Sequence, residues 1–349
     1  MKYIGNKTRL LDFICESMQA ENIPFNGTFC DIFGGTGSVG RFFKEHGFEI
    51  ISNDFMTYSY IVQYVKVKLN EMPNFTNLGL GPAKEVLKYL NNLEPQKGFI
   101  FENFAPSGIF HRQYFSDINA QRIDSVREQI ENWKNSSLIS KDEYFVLLSS
   151  LIDAADFVAN ISGTYGAYLK IWRSMALNPL TLLEPHILNN NKNNSIYQTD
   201  ANELIKKINC DVLYIDPPYN ERQYAPNFHV LESLAVWDKP MLNGKTGQRD
   251  YSTKKSLYCQ KSNAISAFKA LIENAKAKYI VVSYNNEGII PKDNMIRILE
   301  NKGEVKEYTT DYRRFRTERD NDHRQYKNCD DKVIEHLYIV KSYILGENK

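Results

Sequence analysis

The stretch TFCDIFGGTGSVGRFF, residues 28–43, limits the fold of this chain more than any other. A short apolar run ends in an acid, Gly34, Gly35 and Gly37 follow almost at once, and a helical pattern begins directly after them. FEIISND, residues 48–54, then reads as a second strand that closes on Asp54. Two parallel neighbouring strands need a crossover, and a helix supplies it; strand, glycine turn, helix and strand make the opening unit of a doubly wound α/β sheet.

A second constraint lies far downstream in VLYIDPPYNERQY, residues 212–224. The run Val212 to Ile215 is continuously apolar, as expected of a parallel strand buried on both faces. Pro217 and Pro218 offer no amide to a ladder, so the strand stops at Asp216. Ligands of open α/β sheets bind just beyond the carboxyl ends of the strands, which puts Asp216 where chemistry is done.

Between these two landmarks the character changes. Residues 70–190 are rich in Asn and aromatics, with helical patterns at 82–93, 116–134 and 141–159, loops at 95–115 and 161–195, and no strand–helix alternation. The expected organisation is therefore one α/β domain in two parts, 1–69 and 191–349, split by a mostly helical insert at 70–190. Outside the insert, helices are expected at 8–20, 57–69, 201–208, 226–236, 263–276 and 291–301. A strand is expected in KYIVVSYNNEG, and a closing antiparallel pair in EVKEYTTDYRRF and KVIEHLYIVKS. With 349 residues, 42% of them hydrophobic, the chain has ample material for a sizeable core and more than one lobe.

Charge and cysteine usage exclude some classes and leave others open. Lys plus Arg number 43 against 42 for Asp plus Glu, a net charge of +1, so no overall electrostatic signature of a nucleic-acid partner exists. Cysteines 15, 30, 210, 259 and 329 form no CxxC pair, which argues against a disulfide framework or structural zinc and for reduced thiols in a cytoplasmic protein. The start, MKYIGNKTRLLDFICESM, mixes charge into every apolar run, unlike a signal peptide. No uncharged apolar stretch reaches the ~18 residues of a membrane span. The expectation is a soluble chain with no membrane partner.

The glycine turn lets backbone approach a ligand closely and aims helix amides at it. Asp54, 17 residues after Gly37, ends the second strand where an acid accepts hydrogen bonds from ribose hydroxyls. A ribose-bearing cofactor fits, but the spacing alone does not choose between a nicotinamide dinucleotide and S-adenosylmethionine.

Three motifs taken in order narrow that choice. YIGNK (Tyr3–Lys7), DIFGGTG (Asp31–Gly37) and DPPY (Asp216–Tyr219), with an insert between the second and third, resemble the amino-methylating DNA methyltransferases in the Dam-like, adenine-specific alpha arrangement. The longer DPPYNERQYAPNFHVLESLA is similar to modification methylases of type II restriction systems. The resemblance implies a Rossmann-like, S-adenosylmethionine-dependent sheet with a helical DNA-recognition insert. It implies a site-specific DNA-methyltransferase that acts on the N6 amine of an adenine flipped out of double-stranded DNA. It further implies a monomer and a cognate restriction endonuclease as a functional rather than a physical partner; direct in-line attack on a sulfonium methyl requires no metal. Carried onto this sequence, it puts Tyr3, Lys7, Asp31, Phe33, Gly34, Gly35 and Gly37 at the cofactor, the glycines around its methionine end. Asp54 falls at the ribose and Asp200, in YQTDAN, at the cofactor adenine, though Asp200 reads equally as a helix N-cap. Asp216, Pro217, Pro218 and Tyr219 become the catalytic set. Within the insert only ISGTYGAYLKIW, 161–172, looks family-like.

Those residue types suit the reaction. The exocyclic nitrogen of adenine is a poor nucleophile because its lone pair is delocalised into the ring. Acceptors on both its N–H bonds, the Asp216 carboxylate and the Pro217 carbonyl, draw it toward tetrahedral geometry. The prolines fix the direction of that carbonyl in advance. Tyr219 offers a face on which an extruded base stacks, worth about 1–3 kcal/mol. For DNA, the basic stretch 239–261 supplies Lys245, Arg249 and Lys254, the 312–327 stretch supplies Arg313 and Arg314, and ERQY supplies Arg222 and Tyr224. Base readout is expected in the insert, where Arg112, Arg122, Arg127 and Lys170 are available. Rival readings keep the pocket but change the acceptor to a cytosine amine, an RNA adenine or a protein amide. A nicotinamide-linked oxidoreductase would leave YIGNK, DPPY and the basic loops unexplained.

Overall fold

The computed structural model describes residues 7–313 and 332–343. In chain order its first half carries α1 (Leu11–Ala20), β1 (Thr28–Asp31), α2 (Ser38–Glu45), β2 (Glu49–Asn53) and α3 (Thr57–Gln63). Next come α4 (Ala83–Asn91), α5 (Phe99–Phe104), α6 (Asp117–Asn135) and α7 (Lys141–Phe157). The second half carries β3 (Ser195–Tyr197), α8 (Ala201–Leu204), β4 (Cys210–Ile215), α9 (Tyr224–Asn227) and α10 (His229–Val236). It closes with α11 (Ala264–Asn274), β5 (Ala277–Asn285), α12 (Lys292–Glu300), β6 (Gly303–Arg313) and β7 (Lys332–Ser342). These elements group into two compact units.

The α/β unit comprises, among the described residues, 7–55, 190–223, 254–313 and 332–343. Its seven strands lie in the order β3-β2-β1-β4-β5-β7-β6, all parallel except β7, which is antiparallel to both neighbours. This is the doubly wound sheet expected from the opening motif, in the Rossmann-like methyltransferase form that the resemblance implies. One face buries Cys30, Leu213, Ile215, Ile280 and Val282 with residues of α8, α11 and α12. On the other, Phe29 of β1 stacks on Phe43 of α2 at 4.1 Å between ring centroids and on Tyr214 of β4 at 6.1 Å. Burying apolar side chains on both faces requires the continuous apolar runs that the sequence shows in β4 and β5. The order reverses between β1 and β4, so the carboxyl ends of those two strands flank the topological switch point.

The helical unit comprises residues 56–189 and 224–253, a larger piece than the expected insert. Packing explains the extra segments. Tyr58, Ile61 and Val62 of α3 join the same buried cluster as Leu147 and Leu151 of α7 and Val230, Leu231 and Leu234 of α10. The Glu232 carboxylate of α10 accepts the amides of Thr57 at 2.9 Å and Tyr58 at 3.1 Å, filling an N-terminus that has no side-chain cap of its own. Sequence periodicity shows which residues are helical but not which core a helix joins.

The expected loop at 95–115 contains α5, which the sequence reading missed because six residues are too few for periodicity. Its amides are held from a distance: buried Asp124 of α6 accepts from Gly98 (3.0 Å), Ile100 (2.8 Å) and Phe101 (2.8 Å). Asp124→Ala leaves these donors buried without an acceptor. At about 1–3 kcal/mol each, the expected cost is on the order of 3–5 kcal/mol, read as a lowered midpoint in urea unfolding.

Candidate functional site

The switch point gathers acids. Asp31 ends β1 and is 1% exposed. Burial first, then the charges of Asp216 and Asp54, push its carboxyl up to about 8, against the amides of Phe33 and Gly40. Asp216 follows β4, its side chain 18% exposed. Burial and the Glu335 carboxylate push it up to about 6, while Lys7 pulls the other way. Lys7 sits just before the turn Thr8–Leu10 that leads into α1 and is buried, its ammonium 3.4 Å from Asp216 and 3.3 Å from Glu335. Burial lowers its pKa, but the two carboxylates outweigh burial and hold it above the ordinary lysine value. With Asp31 protonated, the carboxylates of Asp54, Asp216 and Glu335 still outnumber the Lys7 ammonium among the described residues here, and a positively charged ligand would relieve that imbalance.

The glycine turn is built as expected. Gly35 and Gly37 have φ of 52° and 75°, in the left-handed region that favours glycine, and Gly37 opens α2. Asp54 reaches back to accept the Gly35 amide at 3.0 Å, and the Gly34 amide donates to the Asn53 carbonyl at 2.8 Å. Buried Asn53 ties the region together, its amide nitrogen donating to the Ile32 and Thr199 carbonyls, both at 3.1 Å, and its oxygen accepting the Thr199 amide. Loop 32–37, the end of β2 and the 199–200 turn are thereby held as one frame. Sequence reading missed Asn53, although a polar residue at the close of an apolar strand was its visible signal.

Other expected cofactor residues are placed as follows. Phe33 meets the edge of Tyr258 at 5.0 Å, and buried Tyr258 donates to Asn202 at 2.8 Å. Asp200 caps α8, accepting the Asn202 amide at 2.8 Å, so the N-cap alternative describes its observed bond. Tyr3 and Arg314 lie outside the described residues, and Arg313 is described only as backbone of β6. Pro217 is buried, Pro218 half-buried, and half-buried Tyr219 accepts the Ile289 amide through its carbonyl at 2.9 Å.

Among the residues expected at DNA, Arg222 and Lys245 are exposed and Tyr224 is half-buried at the start of α9. Arg249 instead makes a fork to Asp238 at 2.8 and 3.2 Å, and Lys254 donates to the Phe55 carbonyl at 2.7 Å over the Phe55 ring. Two arginines considered for base readout are committed to packing. Arg112 is 3% exposed and donates to the carbonyls of Asn103, Gly244 and Lys245, fastening the 243–248 turn. Arg127 is fully buried on Leu234, Glu131 and Tyr144. Arg122 donates to the Asn91 carbonyl, and Lys170 is exposed. The motif 161–172 is pinned by its backbone: the Tyr165 carbonyl accepts from Tyr114 at 2.7 Å and lies 2.9 Å from His229, and the Leu169 amide donates to the Asn160 carbonyl at 2.9 Å.

Linkage gives one expected result here. The folded chain keeps a proton on Asp31 that the unfolded chain, with the ordinary value of 3.8, has released. Folding stability from this group is full at low pH and falls as pH rises from about 4 through about 8. Each unit of displacement is about 1.4 kcal/mol, so Asp31→Asn in the ligand-free protein should raise the melting temperature more at pH 8.5 than at pH 5.5.

The family model for D12 class N6 adenine-specific DNA methyltransferases matches residues 3–298. Type II methyltransferase M.FokI of Planomicrobium okeanokoites is 43% identical, taking in 100% of this chain and 54% of that protein. Type II methyltransferase M.NlaIII of Neisseria lactamica is 40% identical over 98% of this chain and 99% of its own. Modification methylase StsI of Streptococcus sanguinis is 40% identical over 86% of this chain and 46% of its own. The chain thus spans about half the length of M.FokI and StsI and nearly all of M.NlaIII.

Proposed function

The chain belongs to the D12 class N6 adenine-specific DNA methyltransferases, and from that membership we propose that it methylates the N6 amine of a flipped adenine in double-stranded DNA as the modification half of a restriction–modification system. The observation that carries the reading is the acid at the switch point: Asp216, at the end of β4 and stiffened by Pro217 and Pro218, beside a glycine turn closed by Asp54. S-adenosylmethionine, when bound, supplies an electrophilic methyl group on a sulfonium. The acid-rich site fits that cationic donor, with Gly34, Gly35 and Gly37 at its methionine end, Asp54 at its ribose, and Asp31, Phe33 and Asp200 along the same frame.

The chain's own part is to prepare the amine. The Asp216 carboxylate and the Pro217 carbonyl accept its two N–H bonds and free its lone pair. Both acceptors belong to one rigid peptide segment, so little ordering remains during reaction. Tyr219 offers a stacking face that offsets part of the cost of extruding the base. Exposed Arg222 and Lys245, with Arg313 and Arg314, are assigned to phosphates. The reading makes the enzyme a monomer that needs no metal.

Incubation with a methyl-labelled donor and duplex DNA, RNA or peptide tests the proposal. Label should enter DNA as N6-methyladenine; label in cytosine, RNA or peptide refutes it. If phosphates provide the grip, DNA affinity should fall by about 10³-fold or more between 50 and 200 mM salt for six or more contacts.

A further inference from the structure

The strand pattern VIEHLYIV of β7 contains an anomaly. Burial alternates from Val333 through exposed Ile334, and Glu335 falls in the buried phase with Val333, Leu337 and Ile339. A carboxylate in the apolar phase of a strand is costly unless paired. Glu335 is 5% exposed and pairs with Lys7. Its position follows from topology. β7 runs antiparallel, so its first residues lie at the edge where the parallel strands end; Glu335 sits opposite Asn285, the last residue of β5, and opposite Thr310 of β6. β5 pairs with β4 in parallel through Ile215, immediately before Asp216.

We infer that Glu335 is a positioning residue: it divides the Lys7 ammonium between two carboxylates and so keeps Asp216 free to accept the target amine. The inference rests on the reading of Asp216 as that acceptor. The distances support it. Lys7 lies 3.4 Å from Asp216 and 3.3 Å from Glu335, both longer than the 2.7 Å between buried Arg127 and half-buried Glu131. A charge-assisted bond at full strength closes to about 2.7–2.9 Å. Lys7 facing Asp216 alone would close to such a bond and occupy lone pairs the substrate needs. Midway between two acids, it neither releases Asp216 to repulsion nor captures it.

Among the described residues, the charged and titratable groups around Asp216 are Lys7 ahead of α1, Asp31 from β1, Tyr214 from β4 and Glu335 from β7, with Tyr219 close to Lys7. Burial and Glu335 raise the Asp216 carboxyl and Lys7 lowers it. Neutralising Glu335 should therefore lower it.

The test uses full-length Glu335→Gln, Glu335→Asp, Lys7→Met and Asp216→Asn. The Asp216 carboxyl is titrated in the free protein by its ¹³C chemical shift, and single-turnover methylation of duplex DNA is followed against pH. In Glu335→Gln the midpoint should fall by about one pH unit. Its single-turnover rate at pH 8 should drop several-fold with the KM for DNA unchanged. Glu335→Asp, which keeps the charge, should titrate close to the wild type, and Lys7→Met should move the midpoint upward. Superimposed titrations of wild type and Glu335→Gln overturn the inference, as does an equal downward shift in Glu335→Asp. Should Glu335→Gln fail to fold, an unmoved midpoint in Lys7→Met overturns it instead. An Asp216→Asn enzyme with wild-type turnover would refute the reading of Asp216 itself, whatever Glu335 does.

Discussion

Asp216→Ala is expected to cut the single-turnover methylation rate by at least about 10³-fold while DNA affinity changes by no more than a few-fold. The asymmetry follows from where the carboxylate acts. On the proposed mechanism it meets one amine and no phosphate, so it would contribute to the barrier and little to the grip. Removing one preorganised polar group aimed at developing charge typically costs about 10²–10³ in rate. Here the loss is larger because Lys7 and Glu335 remain behind, bringing a cation to the place where an acceptor stood. Asp216→Asn should also fail, since an amide presents a donor as well as an acceptor to the amine. In the unaltered enzyme the rate should fall as pH drops through about 6, where the Asp216 carboxylate takes up a proton and loses its acceptor character. Filter binding and quenched single-turnover assays on one duplex check both halves. Near-normal turnover in Asp216→Ala would remove the mechanism.

Asp54→Ala should weaken binding of S-adenosylmethionine by about 10- to 100-fold, the loss of one or two hydrogen bonds to a charged acceptor at about 1.5–3 kcal/mol each. Two effects combine in that variant: loss of a ribose acceptor, and release of the Gly35 amide that Asp54 now holds at 3.0 Å. Asp54→Asn separates them. Its side-chain oxygen can still accept from Gly35, so the turn stays closed while the charge is lost. A large loss in both variants by titration calorimetry assigns the effect to the ribose. A loss in Asp54→Ala alone assigns it to the turn. Unchanged affinity in both would place the cofactor elsewhere.

Much of the sheet was legible because its causes are local. Continuous apolar runs mark β4 and β5, prolines mark the stop at Asp216, and positive-φ glycines mark the turn before α2. The order YIGNK, DIFGGTG, DPPY pointed to the family from the residues alone. What escaped depended on partners distant in sequence. α5 is too short to show a periodicity, and its N-terminal amides are satisfied by Asp124, more than twenty residues away. Arg112 and Arg127 look in the sequence like cations available to DNA. Only packing shows their guanidinium groups spent on carbonyls of Gly244, Lys245 and Leu234.

By itself, then, the sequence determined the doubly wound sheet, the switch-point acid and the glycine turn, because strand, turn and stop signals act over a few residues. Tertiary structure alone decided which helices share the aromatic-rich core, which cations are already engaged, and that Glu335 stands 328 residues from the lysine it holds. The physical reason is the same in each case. A charge or an apolar face specifies that it must be compensated, and only the folded chain chooses what compensates it.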